Sequence, residues 1–171
     1  MKPSLGSVLR AHEVPSAGGD TLFANMALAY NRLPDVTKEK IHDCVAVHDI
    51  ARVFASRLNK KPEELHELYP PVEHPVVRTH PETKESVVYV NGAFTSHIKG
   101  MEAKESRRLL DTLYKSAWDP EIQCRFQWQA GSIAFWDNRA CQHFAVSDYF
   151  PAVRVMERVT IAGDKPYFDN R

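Results

Sequence analysis

Little in the sequence marks an oxidising compartment or a charged partner. Its three cysteines, Cys44, Cys124 and Cys141, form no C-x-x-C pair. That excludes a cysteine zinc site and a disulfide framework, and it fits a reducing cytoplasm. Lys+Arg and Asp+Glu both number 22, so the chain lacks the basic excess that would point to nucleic acid or an anionic membrane. No apolar run approaches membrane-spanning length, and the opening "MKPSLGSVLRAHEVPSAGGD" has no uninterrupted apolar core of the kind a signal peptide needs. Internal repeats and low-complexity tracts are missing as well.

What is present is an ordinary globular composition, 43% apolar and 26% charged over 171 residues, enough for one domain with a sizeable core, spanning 1–171. "SVLRAHEV" and "TLFANM" read as extended segments around the turn "PSAGGD". Residues 26–43 read as two short helices broken at Pro34, with Asp35 or Thr37 as caps. "CVAVHDI" is strand-like, and 51–69 is helical with an interruption near Pro62. "HPVVRTH-PETK-ESVVYV" reads as a hairpin. Residues 102–118 form the clearest amphipathic helix, with Leu109, Leu110, Leu113, Tyr114 and Ala117 on one face. "IQCRFQWQ", "SIAFWDN", a loop through His143 and a final strand over about 153–162 complete the pass. Strands dominate the second half, which predicts a β-sandwich or barrel with helical insertions.

The final strand carries Arg154 and Arg158. Alternation puts Arg154, Met156, Arg158 and Thr160 on one face, with Val153, Val155, Val159 and Ile161, together with Glu157, on the other. One reading makes the arginine face the solvent face, as charged residues usually are. The other makes it the lining of a polar pocket in which each guanidinium grips an anion through paired hydrogen bonds. Sites ~13 Å apart along a strand suit two anionic ligands better than one small one.

Four stretches taken together resemble one family. They are "PSAGGDTLFANM", "HPVVRTHPETKESVVYVNGAFTSHI", "FQWQAGSIAFWDNRACQHFAVSDYF" and "RVMERVTIAGDKPY". In order and in content they are similar to the taurine dioxygenase-like (TauD/TfdA) Fe(II)/2-oxoglutarate-dependent dioxygenases. The resemblance implies a mostly β fold with helical insertions, a double-stranded β-helix or jelly roll. It implies that His143 is the distal iron ligand, that Arg154 and Thr21 hold the far carboxylate of 2-oxoglutarate, and that Trp136 packs near that cosubstrate. Arg158 would bind the anionic head of the substrate, with Phe94 an aromatic of the substrate pocket. The reaction implied is oxidation of taurine, another alkyl sulfonate or an alkyl sulfate, with release of succinate and CO2. No catalytic side chain beyond the metal centre is implied, because the iron and cosubstrate carry the oxidation while the protein orients the reactants.

Such iron centres take two histidines and one carboxylate. The family's first two ligands form an H-x-D motif upstream of the G-G-D-T threonine, and the residues ahead of Thr21 contain no H-x-D. The sequence therefore reads as a C-terminal portion, with a jelly roll incomplete at its N-terminus and a neighbouring strand edge left unpaired. His12-Glu13, His42-Asp43, His48-Asp49 and His66-Glu67 are adjacent pairs without the required spacing. His80-Pro81-Glu82 has H-x-E spacing, but it falls in the predicted hairpin turn. Two alternatives stay open: a non-catalytic relative that binds 2-oxoglutarate-like anions without iron, and a homo-oligomer or partner chain that supplies the missing ligands.

Overall fold

Antiparallel pairing joins strands far apart in the chain. The computed structural model describes residues 2–169. Its first sheet sets β1 (Ser4–Glu13) between β9 (Ile133–Asp137) and β11 (Val155–Ala162). The second sets β2 (Thr21–Asn25) between β8 (Gln123–Phe126) and β10 (Cys141–Ala145). A third has β3 (Val45–His48) between β4 (Val72–Pro75) and β7 (Thr95–Ile98), while β5 (Val77–Thr79) pairs with β6 (Ser86–Val88). Helices α1 (Met26–Asn31), α2 (Asp35–Ile41), α3 (Ala51–Arg57), α4 (Pro62–Leu68) and α5 (Ala103–Ser116) are inserted between strands.

Register fixes which side chains meet. In the first sheet Ser7 lies opposite Trp136 and Thr160, and Leu9 lies opposite Ala134 and Arg158. In the second, Phe23 lies opposite both His143 and Cys124. The two sheets touch through aromatic rings: Trp136 packs 5.2 Å from Phe23 and 4.9 Å from His143. The opposite face of the first sheet stays open. Ile133, Phe135, Val155, Val159 and Ile161 are all exposed there, whereas Arg158 and Thr160 on the other face of β11 line a cavity.

The main core lies elsewhere, between α1, α5 and strands β3 to β7, and includes Ile41, Ala46, Val77, Val88, Ile98 and Leu113. The predicted α5 face is the observed one: Leu109, Leu110 and Leu113 are buried, and Tyr114 and Ala117 pack against the core. Several local expectations are corrected. His143 lies within β10 rather than in a loop, because pairing with β2 extends that segment. The predicted hairpin is split. Val77–Thr79 pairs with Ser86–Val88, but Val72–Pro75 pairs with β3 in a different sheet. Neither Asp35 nor Thr37 caps α2, whose N-cap is Pro34 with no side-chain cap; Asp35 is its first residue. The capping side chain belongs to Asn25, which accepts hydrogen bonds from the Ala27 and Leu28 amides and starts α1 directly at the end of β2.

Candidate active site

The turn before β2 sets one end of the site. Gly18 and Gly19 hold φ of +78° and +73°, a region in which a side chain is strained. A Cβ on Gly19 would also sit 3.0 Å from the Arg154 Cδ and 3.2 Å from Pro15 and Tyr149. The glycines thus let the backbone pass close beneath Arg154. Asp148 accepts a hydrogen bond from the Gly19 amide at 2.8 Å, and Asp20 pairs with Arg125 at 2.6 Å, which fixes the loop to β8.

Beyond that turn Thr21 is fully buried, and its hydroxyl accepts a hydrogen bond from the Trp128 indole at 3.0 Å. The Arg154 guanidinium lies over the Trp128 ring, 5.8 Å from its centroid. Nε and Nη2 of Arg154 are buried and have no protein partner. Buried donors of a fixed cation are costly to leave unpaired. The arrangement is suited to an anion that takes both.

His143 and Arg158 share a different space. Both line a cavity of about 560 Å³ that also touches Ser7, Phe54, Phe94 and Asn138. The His143 imidazole is held below its ordinary pKa first by the rings packed on it and then by the charge of Arg158, although the residue keeps an open edge toward solvent. It is therefore neutral at physiological pH, with a lone pair available for a metal or a hydrogen bond. Cys141 also lines this cavity, but burial pushes its thiol up to about 12, so it is no thiolate ligand.

The turn that aims β10 is braced by charge. Arg139 binds Asp137 at 2.6 Å and Glu82 at 3.0 Å, and His80 reaches Asp137 at 3.1 Å. Partial burial would raise the Asp137 carboxyl, but hydrogen bonds from Arg139 and His80 outweigh it and hold the group down to about 2. His80 and Glu82, the pair with H-x-E spacing, are spent in this brace. Asn138 adds bonds to Ser4 and Ser7, tying the same turn to β1.

The six residues singled out by sequence fall into three places. Thr21 and Arg154 meet around Trp128. His143, Arg158 and Phe94 line one cavity. Trp136, 8% exposed, packs on His143 and Phe23. The indole between Arg154 and Thr21 is that of Trp128, which sequence reading did not single out. Its block "FQWQ" belongs to one of the resembling stretches, yet only the fold shows which tryptophan faces the arginine. Phe54 was also missed. It stacks on Phe94 with centroids 6.4 Å apart and an interplanar angle of 20°. Among the described residues no group of three His, Cys, Asp or Glu side chains could hold a metal ion.

Arg154 over Trp128, and Arg158 in a cavity shared with His143, are carried by a mostly β protein of paired antiparallel sheets. The chain belongs to a known family: residues 2–160 match the family described as "Taurine catabolism dioxygenase TauD, TfdA family". It is 37% identical over 166 residues to an alkylsulfatase of Acinetobacter baylyi, covering 92% of this chain and 52% of the relative. It is 38% identical over 168 residues to an alpha-ketoglutarate-dependent sulfate ester dioxygenase of Pseudomonas putida, covering 94% and 56%. The crystal structure of a taurine dioxygenase from Burkholderia xenovorans superposes with a TM-score of 0.84 at 39% identity, over 97% of this chain and 56% of that one. The crystal structure of AAD-2 in complex with Mn(II) and N-oxalylglycine gives 0.85 at 32% identity, over 96% and 66%. The chain therefore spans about half the length of the curated relatives it matches.

Proposed function

We propose that this chain is the cosubstrate- and substrate-binding part of an Fe(II)- and 2-oxoglutarate-dependent dioxygenase that oxidises a small sulfate ester or alkyl sulfonate. One observation carries the reading: Arg154 is a partly buried cation with two free buried nitrogens, set between Trp128 and the Gly19 turn. A dicarboxylate end fills that recess. Arg154 supplies the paired donors, and the Thr21 hydroxyl, which already accepts from Trp128, turns its own proton toward the same carboxylate. Arg158 takes the second anion, the sulfate or sulfonate head, in the cavity shared with His143. Phe54 and Phe94 provide an apolar wall for the carbon chain.

The facing sheets β11-β1-β9 and β10-β2-β8, in contact through Trp136, Phe23 and His143, support a jelly-roll reading of the single domain over 1–171. Three free thiols suit a cytoplasmic setting, and no helix among the described residues is long and apolar enough to cross a membrane.

Iron fits the described residues only in part. His143 offers a neutral imidazole, but a single imidazole is not a chelate, and among the described residues no group of three ligands accompanies it. Iron, when bound with its full ligand set, supplies the oxidation of the substrate C–H bond. The described residues bind and orient: Arg154 and Thr21 fix the cosubstrate, and Arg158 fixes the substrate. Calorimetry tests this on the 171-residue chain without metal. 2-Oxoglutarate should bind, and Arg154→Ala should weaken that binding about tenfold to hundredfold while Arg158→Ala leaves it in place. Absence of binding to the wild-type chain would refute the assignment.

The same lack of a three-ligand group favours a second reading, a metal-free anion binder. Equilibrium dialysis against Fe(II) with 2-oxoglutarate present separates the two for any longer chain containing these residues. Stoichiometric iron with succinate release supports the dioxygenase, and 2-oxoglutarate binding without either supports the binder.

A further inference from the structure

The cavity that holds His143 and Arg158 has a second polar wall, formed by β3 and β4. His48 and His74 stand diagonally across that strand pair and face the same space, with ring centroids 5.3 Å apart. His74 is 6% exposed. Nε2 of His48 and Nδ1 of His74 are both buried and have no protein partner. The Tyr89 ring closes the cluster, 6.3 Å from His48 and 6.1 Å from His74.

We propose that His48 and His74 form an uncharged polar subsite that takes a hydroxyl group on the organic tail of the ligand whose anionic end Arg158 holds. The inference rests on the reading of Arg158 as the anion anchor. Its chemistry follows from what faces the pair. The other nitrogen of His48 lies 3.3 Å from the Thr95 hydroxyl, which already accepts from the Asn91 amide and so serves either imidazole tautomer. Two neutral rings offer one donor or one acceptor each, and a hydroxyl can give and take in the same place. A plain alkyl chain would displace water and leave both nitrogens unpaired. An ammonium group is disfavoured because the charges of Arg78 and Lys165 already act on His74, and Arg78 lies over the Tyr89 ring at 4.9 Å. Burial also holds both imidazoles down to about 4, so they stay neutral at physiological pH.

Calorimetry on the full chain with hexyl sulfate and ω-hydroxyhexyl sulfate tests the subsite. The hydroxylated ligand should bind about tenfold tighter, the scale of one well-made hydrogen bond in a dry site. The gap should close in His48→Phe and in His74→Leu, and His48→Gln should keep part of it. Equal binding of the two sulfates, with both lost in Arg158→Ala, would overturn the subsite and leave the Arg158 anchor standing. Binding that ignores Arg158→Ala, or no binding of either sulfate, would remove the anchor instead. In that case the ring-nitrogen NMR shifts of His48 and His74 decide the subsite with an uncharged alkanediol as probe. A saturable shift at both rings supports it, and unmoved resonances overturn it.

Discussion

Arg154 and Arg158 lie two periods of strand alternation apart, and we assign them different work. Arg154 is held by its surroundings, between Trp128 and the Gly19 backbone. Arg158 reaches into open cavity beside His143. Losing one charge-assisted contact costs about 1.5–3 kcal/mol, a tenfold to hundredfold loss in affinity. Arg154→Ala should therefore weaken 2-oxoglutarate binding by that factor and leave alkyl sulfate binding nearly unchanged, with Arg158→Ala doing the reverse; calorimetry reads both. Gly19→Ala belongs at the same scale. A side chain at φ +73°, 3.0 Å from the Arg154 Cδ, is strained and displaces the guanidinium. It should cost about 1–3 kcal/mol of stability and reduce 2-oxoglutarate affinity as severely as removing the arginine. Normal affinity in that variant would show that the recess does not depend on the glycine turn. Thr21, Arg154 and Arg158 were singled out from sequence by a resembling motif, while alternation alone left the arginine face open between solvent and pocket. Trp128 and Phe54 were not, because their roles arise from which neighbours the sheets and helices bring to them.

At the scale of elements, α5 and β10 show what decides legibility. The α5 stripe is local: burial of Leu109, Leu110 and Leu113 follows from helical periodicity, and the structure repeats it. Leu113 has no exposed surface, so Leu113→Ala should destabilise the fold by about 2–5 kcal/mol in denaturant unfolding. β10 is a tertiary product. "CQHFA" has no strong alternation, and its extended form comes from pairing with Thr21–Asn25. The same holds for β4 and β5, adjacent in sequence but placed in different sheets. The β3–β4 histidines make a pH prediction. Burial lowers both from the ordinary value of 6.5 to about 4, with His74 adding to the shift of His48, and with Arg78 and Lys165 adding to that of His74. The unfolded chain then binds more protons between those values, so stability rises with pH from about 4 to 6.5 and is level above. The thermal midpoint should fall as pH drops through that window. His74→Leu should flatten the dependence, and an unchanged slope would show that these rings are not the titrating groups.

Over the whole molecule, the sequence pattern predicted a β-rich fold with helical insertions, which the structure has, although β10 forms where a loop was expected and β4 joins a different sheet from β5. What alternation could not say was which face of β11 turns inward. In this fold Arg158 and Thr160 face a cavity, and Val155, Val159 and Ile161 lie on the open face together with Glu157. Ile133 on that open face lies opposite Arg10, so Ile133→Glu exchanges an exposed apolar contact for an opposite-charge pair. Stability should change by no more than about 0.5 kcal/mol. Solubility in ammonium sulfate should rise, as precipitation assays would read.

The outward valines and aromatics also govern how the chain behaves in a tube. A sheet surface carrying Phe135, Val159 and Ile161 toward water responds to crowding by its own kind and to excluded salts before any change in its interior. Light scattering over a dilution series should therefore report clustering that grows with concentration and sulfate while far-ultraviolet circular dichroism stays constant, so that turbidity precedes unfolding.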